Sequence, residues 1–171
     1  MTGLRAIPAV AFAMLMLLAL QATATADAQD AGSFRMLQSF DQDFTTINHA
    51  GGAITGGTLV GTSTVLESSG PPFVVGETSI AKCIVFVGTF RDGVVDLESP
   101  CTFADGEGDE IYLLALRKDG DIAEGGGGEG RAQIMGGTGK FAGVSGECTY
   151  VTRYLPVNHV DTASKCTWQR P

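Results

Sequence analysis

Three groups of residues in this chain have types and spacings that chemistry uses. The first is the glycine-rich run IMGGTGKFAGVSGECTY over 134–150, where a lysine follows three glycines. A phosphate-binding loop needs G-x-x-x-x-G-K-[ST], so that backbone N–H groups wrap phosphate and a hydroxyl reaches Mg²⁺. Setting Gly139-Lys140 on that pattern puts Ile134 where the first glycine belongs and Phe141 where the hydroxyl belongs. A dinucleotide turn must open a helix, but the residues that follow put Ala142, Val144, Cys148, Tyr150 and Tyr154 on one parity, as a strand does. GGTG therefore reads as a tight turn between strands, its glycines supplying positive φ. The second group is ADGEGDE, in which Asp105, Glu107 and Asp109 alternate and offer three oxygen ligands in a short loop. An EF-hand loop wants Asp or Asn at its third position and Gly at its sixth; Glu107 and Glu110 stand there instead, so a surface cation site competes with a plain acidic turn. A serine hydrolase elbow, G-x-S-x-G, is broken at Ser145, where the chain reads GVSGE.

The third group is Cys83, Cys101, Cys148 and Cys166. Zinc would want closely spaced Cys or Cys/His pairs, and the two histidines, His49 and His159, do not provide them. Both intervals 83–101 and 148–166 span 18 residues and hold a strand-like run, a turn and a second run. In a hairpin centred near Asp92-Gly93, a strong turn signal, Cys83 falls opposite Cys101. A hairpin centred near Val157 sets Cys148 opposite Cys166 in the same way. Cross-strand neighbours have Cβ atoms about 4.5–5.5 Å apart, close to disulfide geometry, so the expected bridges are 83–101 and 148–166.

Disulfides require an oxidising compartment, and the N-terminus agrees. Arg5 precedes an uncharged, mostly apolar run of 15 residues, Ala6 to Leu20. A bilayer-spanning helix needs roughly 20 such residues, so this run suits a signal-peptide core followed by small residues up to Ala28. The expectation is a leader over 1–28, a single domain over 29–171, and a secreted or periplasmic protein with no membrane insertion after cleavage. The formal net charge of −8 excludes nucleic acid as a partner, because phosphates need a basic stripe. Between Asp92 and Glu129 eleven carboxylates face two bases, Arg117 and Lys118, so one part of the domain carries most of the negative field.

The elements that must position these groups are strands. Past the leader, helical periodicity is nearly absent, and short runs rich in Gly, Thr and Val alternate with turn residues. Eight runs are expected, at 34–44, 53–67, 78–90, 94–103, 110–118, 121–135, 140–154 and 160–168. Eight strands with short connections suit an all-β, up-and-down antiparallel barrel, which hides its edges by closing; a two-sheet β-sandwich is the runner-up. Two stretches stand out. In IYLLALRK, Ile111, Leu113 and Ala115 share one face and Tyr112, Leu114 and Leu116 the other, so a loop or a second subunit is expected to cover the outer one. EGGGGEG over 124–130 is either a flexible loop or a barrel strand whose glycines mark bends.

GGTGKFAGVSGECTY, preceded by the CTFADGEGD segment of Cys101 to Asp109, resembles the allene-oxide-cyclase-like barrels of secreted bacterial proteins. Dirigent proteins, more distant relatives in the calycin-like class, carry a similar GGTGKF turn. The resemblance covers roughly residues 55–168. It implies an eight-stranded antiparallel barrel with an apolar lumen, often trimeric, and so a homo-oligomer here. Plant members isomerise an unsaturated fatty-acid epoxide with a lumen carboxylate and water, without a cofactor; no catalytic position carries over to a numbered residue of this chain. From the residues, the cysteine register in the 83–101 hairpin puts Val85 and Val87 with Leu97 and Ser99 on one face, and Ile84, Phe86 and Phe90 with Glu98 and Asp96 on the other. If the second face lines the lumen, Phe86 and Phe90 are candidate ligand contacts and Glu98 a candidate general acid or base with a raised pKa, with Glu67 a further candidate. If it faces outward, Glu98 meets water, and a one-residue slip exchanges the two. The function expected first is binding of a small apolar or amphipathic ligand. A cofactor-free cyclase or isomerase and a filled barrel that binds other proteins are the alternatives.

Overall fold

The computed structural model describes residues 30–89 and 94–171. The leader, Phe90 and the Asp92-Gly93 turn lie outside the described residues. Eight strands form: β1 (Ala31–His49), β2 (Gly52–Ser68), β3 (Thr78–Thr89), β4 (Val95–Ala104), β5 (Glu110–Arg117), β6 (Gly127–Gly137), β7 (Ser145–Leu155) and β8 (His159–Gln169). Each pairs antiparallel with the next, and β8 returns to β1 from Ala31↔Gln169 to Asp41↔His159, closing a barrel. That seam sets the sandwich aside, since a sandwich leaves its sheets unjoined.

Strand alternation sorts side chains between an inner and an outer wall. On β1, Phe34, Met36, Gln38 and Phe40 are buried. Each hairpin continues the rule: Ala81, Cys83, Val85 and Val87 of β3 point inward, as do Leu97, Ser99 and Phe103 of β4. Both expected disulfides are present, Cys83–Cys101 and Cys148–Cys166, and they lie on this inner wall, where Cys83, Cys148 and Cys166 are buried. They place the folded chain in keeping with an oxidising compartment.

One end of the barrel is plugged by aromatic rings. Phe73, from the β2–β3 connection, stacks on Phe34 with ring centroids 3.7 Å apart and packs against Phe141 and Trp168. Phe141 arrives there because GGTGKF does not run straight into a strand: Gly139–Phe141 make one 3₁₀ turn before β7 begins at Ser145. Gly136, Gly139 and Gly143 have the positive φ that the turn reading expects.

Candidate functional site

The interior of the barrel above the aromatic plug is the site with the most chemistry. Apolar residues dominate: Phe40, Leu59, Val85, Leu97, Leu113 and Val160 line it together with the Cys83–Cys101 bridge. A polar band crosses them. Ser164 donates to Gln38 Oε1 at 3.0 Å, and the hydroxyls of Thr152 and Thr162 are 2.8 Å apart. These side chains fill most of the lumen and leave a cavity of about 60 Å³, small beside the roughly 300–1,000 Å³ of pockets for drug-sized ligands.

At the end of β5 opposite the plug stands Arg117, which continues the inward parity of Ile111, Leu113 and Ala115. It is 2% exposed. Its Nη1 donates to the carbonyl of Asp119 at 3.0 Å and its Nη2 to the carbonyl of Asp121 at 3.0 Å and the Tyr154 hydroxyl at 3.3 Å. Nε is buried with no hydrogen-bond partner. Tyr154 and Tyr150 lie beside it on β7. Burial pushes the Tyr150 phenol up to about 12, outweighing the Arg117 charge that lowers it. Burial likewise raises Tyr154 against the lowering by Arg117. Both phenols are therefore neutral hydrogen-bonding groups at ordinary pH.

The glycine run explains how such large groups fit. Gly128 and Gly130 belong to β6, not to a loop. A Cβ on Gly128 would stand 2.5 Å from Arg117 Nη1, and one on Gly130 would stand 2.3 Å from Tyr150 Cζ. The bare backbone of β6 is the space into which the guanidinium and the phenol are laid. The preceding residues 118–126 form the β5–β6 connection rather than the strand start expected at Asp121, and its Ile122 packs on the inner cluster.

The residues singled out from sequence fall elsewhere. The cysteine register holds, with Phe86↔Glu98 and Val87↔Leu97, but the Ile84, Phe86, Glu98 face is the outer wall. Phe86 is 55% exposed and Glu98 is exposed beside it. Glu67 is also outside, in an ion pair with Arg35 at 2.6 Å. No carboxylate lines the described lumen cavity. Phe90 lies outside the described residues.

Asp105, Glu107 and Asp109 form an acidic turn organised around a resident cation. Asp105 accepts the backbone N–H groups of Glu107 (2.8 Å) and Asp109 (3.0 Å). The Lys140 ammonium stands 2.8 Å from Asp105 and also pairs with Glu77, while the Lys140 N–H donates to Asp109 at 2.9 Å. Among the described residues no cluster of three or more His, Cys, Asp or Glu is arranged to hold a metal ion. The lysine of the GGTGK motif thus ties three connections together at the plugged end. His159 begins β8; its Nε2 lies 2.8 Å from Ser39 Oγ and its Nδ1 3.5 Å from Asp41. Ser39 gives its proton to Asp161 at 3.0 Å, and the cluster sits on the outer wall across the seam, where it bonds β1 to β8 rather than facing a pocket.

No protein-family model matches the chain, and no curated protein matches it. Among solved structures it is similar to the pterocarpan synthase dirigent protein GePTS1, at 14% sequence identity and a TM-score of 0.47, over 84% of this chain and 89% of that one. By its own fold the chain is a closed, eight-stranded antiparallel barrel with two disulfides.

Proposed function

We propose that this is an exported, disulfide-stapled barrel whose lumen holds a small amphipathic molecule. The observation that carries the reading is the cavity itself. It combines an apolar wall with hydroxyl, amide, phenol and guanidinium groups, and this mixture orients a ligand that has both an apolar body and a polar group. Those groups accept and donate hydrogen bonds, while the lining has neither the carboxylate nor the imidazole that usually serves as a general base. The geometry therefore supports binding ahead of a cyclase or isomerase; because only about 60 Å³ is left open, the ligand is very small, and a filled barrel that contacts other proteins is the second reading.

Native mass spectrometry of the mature protein from its own host tests this. A retained small molecule, released on unfolding, is the expected result. Its absence, together with no shift of the inward methyl resonances of Val85, Leu97 and Leu113 when small amphipathic compounds are added, would overturn lumen binding in favour of the protein-binding role. A Glu98→Gln variant should retain the molecule as the parent does, since Glu98 is outside. Turnover of an unsaturated epoxide that is lost in Glu98→Gln would instead establish the isomerase.

A further inference from the structure

Arg117 poses a problem that the lumen reading alone does not solve. A guanidinium keeps its proton under all ordinary conditions, and a buried charge is normally matched by an opposite one. Here the guanidinium donates to three neutral oxygens, and among the described residues no carboxylate lies within ion-pair distance of it. The acids nearest in sequence, Asp119 and Asp121, present their backbone carbonyls, and the Asp121 carboxylate is occupied by the Ala123 N–H at 3.1 Å. Nε remains without an acceptor although it is enclosed. Replacing a buried charge with an apolar residue often stabilises a protein, yet here β6 gives up its side chain at Gly128 to accommodate one.

We infer that Arg117 is the anchor for a carboxylate, and that the lumen ligand is a small monocarboxylic acid bound as its anion. Its carboxylate accepts from Arg117, including Nε, and from the neutral Tyr154 hydroxyl. Its apolar body lies against Leu97, the cross-strand neighbour of Arg117, with Val85 and Leu113 also on the cavity wall. A carboxylate is the matching group because it is planar and acceptor-only, it supplies the missing negative charge, and it needs the donors that guanidinium and phenol provide. At about 60 Å³, the share of roughly two waters, the cavity limits the acid to two or three carbons. This inference rests on lumen binding and adds the ligand's chemical class to it.

The test compares propionate with propan-1-ol, which share a chain and differ in the head group, by titration calorimetry at neutral pH on the full mature chain. Propionate should bind about tenfold or more tightly than the alcohol, as a charge-assisted hydrogen bond provides. In Arg117→Met the ratio of propionate to alcohol affinity should fall to about one, propionate losing the more. If the parent binds both equally, or Arg117→Met keeps the preference, the carboxylate anchor is refuted while lumen binding survives. If neither compound binds and neither perturbs the inward methyl resonances, both readings fall. Should Arg117→Met not fold, [1-¹³C]propionate bound to the parent decides: its carboxyl must titrate at lower pH than in the free acid, and an unchanged or raised value overturns the anchor.

Discussion

Gly130 and Gly106 are both glycines of an acidic, glycine-rich chain, but only one is constrained by its neighbours. A methyl group on Gly130 would meet Tyr150 Cζ at 2.3 Å, whereas one on Gly106 would meet nothing within 4 Å. Gly130→Ala should therefore lower stability by about 1–3 kcal/mol, the usual result of forcing a methyl into a packed interior. Gly106→Ala should stay within about 0.5 kcal/mol of the parent, and urea midpoints measured side by side check both. Asp105 and Lys140 add a pH dependence. Burial raises Asp105, but the hydrogen bonds from Lys140, Glu107 and Asp109 and the Lys140 charge outweigh it, so the carboxyl lies below its ordinary 3.8. Its contribution to stability is therefore present above 3.8 and is lost as pH falls through the lower folded value. For Lys140 burial works downward and the Asp105 and Glu77 carboxylates upward, leaving the ammonium above 10.5. Its contribution is present below 10.5 and is lost as pH rises through the folded value. Urea midpoints should fall on the acid side more steeply in the parent than in Lys140→Met; equal acid limbs would show that the pair does not couple to folding.

The β3–β4 and β7–β8 hairpins show which features were legible in the sequence. Asp92-Gly93 and the equal 18-residue spacings were enough to give both bridges and the sharing of one face by Phe86 and Glu98 and of the other by Val87 and Leu97. What the residues could not reveal was which face is inside, because β3 is apolar on both sides: Val85 and Val87 are buried, while Ile84 and Phe86 are exposed. The interior of an eight-stranded barrel has room for little more than its own side chains, and the cystine and valines suit that space better than phenylalanines do. Arg117 was missed because a charge closing an apolar run looks like a strand end. Its parity with Ile111, Leu113 and Ala115, read beside the glycines of 124–130, was the available signal. The role of Lys140 was hidden for another reason, since Glu77 and Asp105 meet it only through long-range folding. Replacing Cys83 and Cys101 together by alanine should cost about 2–4 kcal/mol, as expected for a loop of this size. A loss near zero in denaturant unfolding would show that the β-ladder alone holds the hairpin.

Taken whole, the barrel carries an unusual outer wall for so acidic a chain. Ile80, Ile84, Phe86, Leu116 and Met135 are all exposed on it, Ile84 by 61% and Met135 by 60%, and Pro100 pairs with Leu114 among them. We expect this face to be covered by further copies of the chain. Light scattering at micromolar concentration should give an oligomer mass, and Ile84→Asp with Phe86→Asp should reduce it to one chain; a monomer in the parent would end that idea. The connectivity of the staples has a consequence for how the molecule is made. Each joins cysteines that are consecutive along the chain, whereas the seam unites Ala31 with Gln169. Chains emerge N-terminus first, so Cys83 meets Cys101 well before Cys148 appears, 47 residues later. Order of arrival alone then selects the correct partners, and a host with a thiol oxidase but no disulfide isomerase should still produce both native bridges, leaving closure of the seam as the last event of biogenesis.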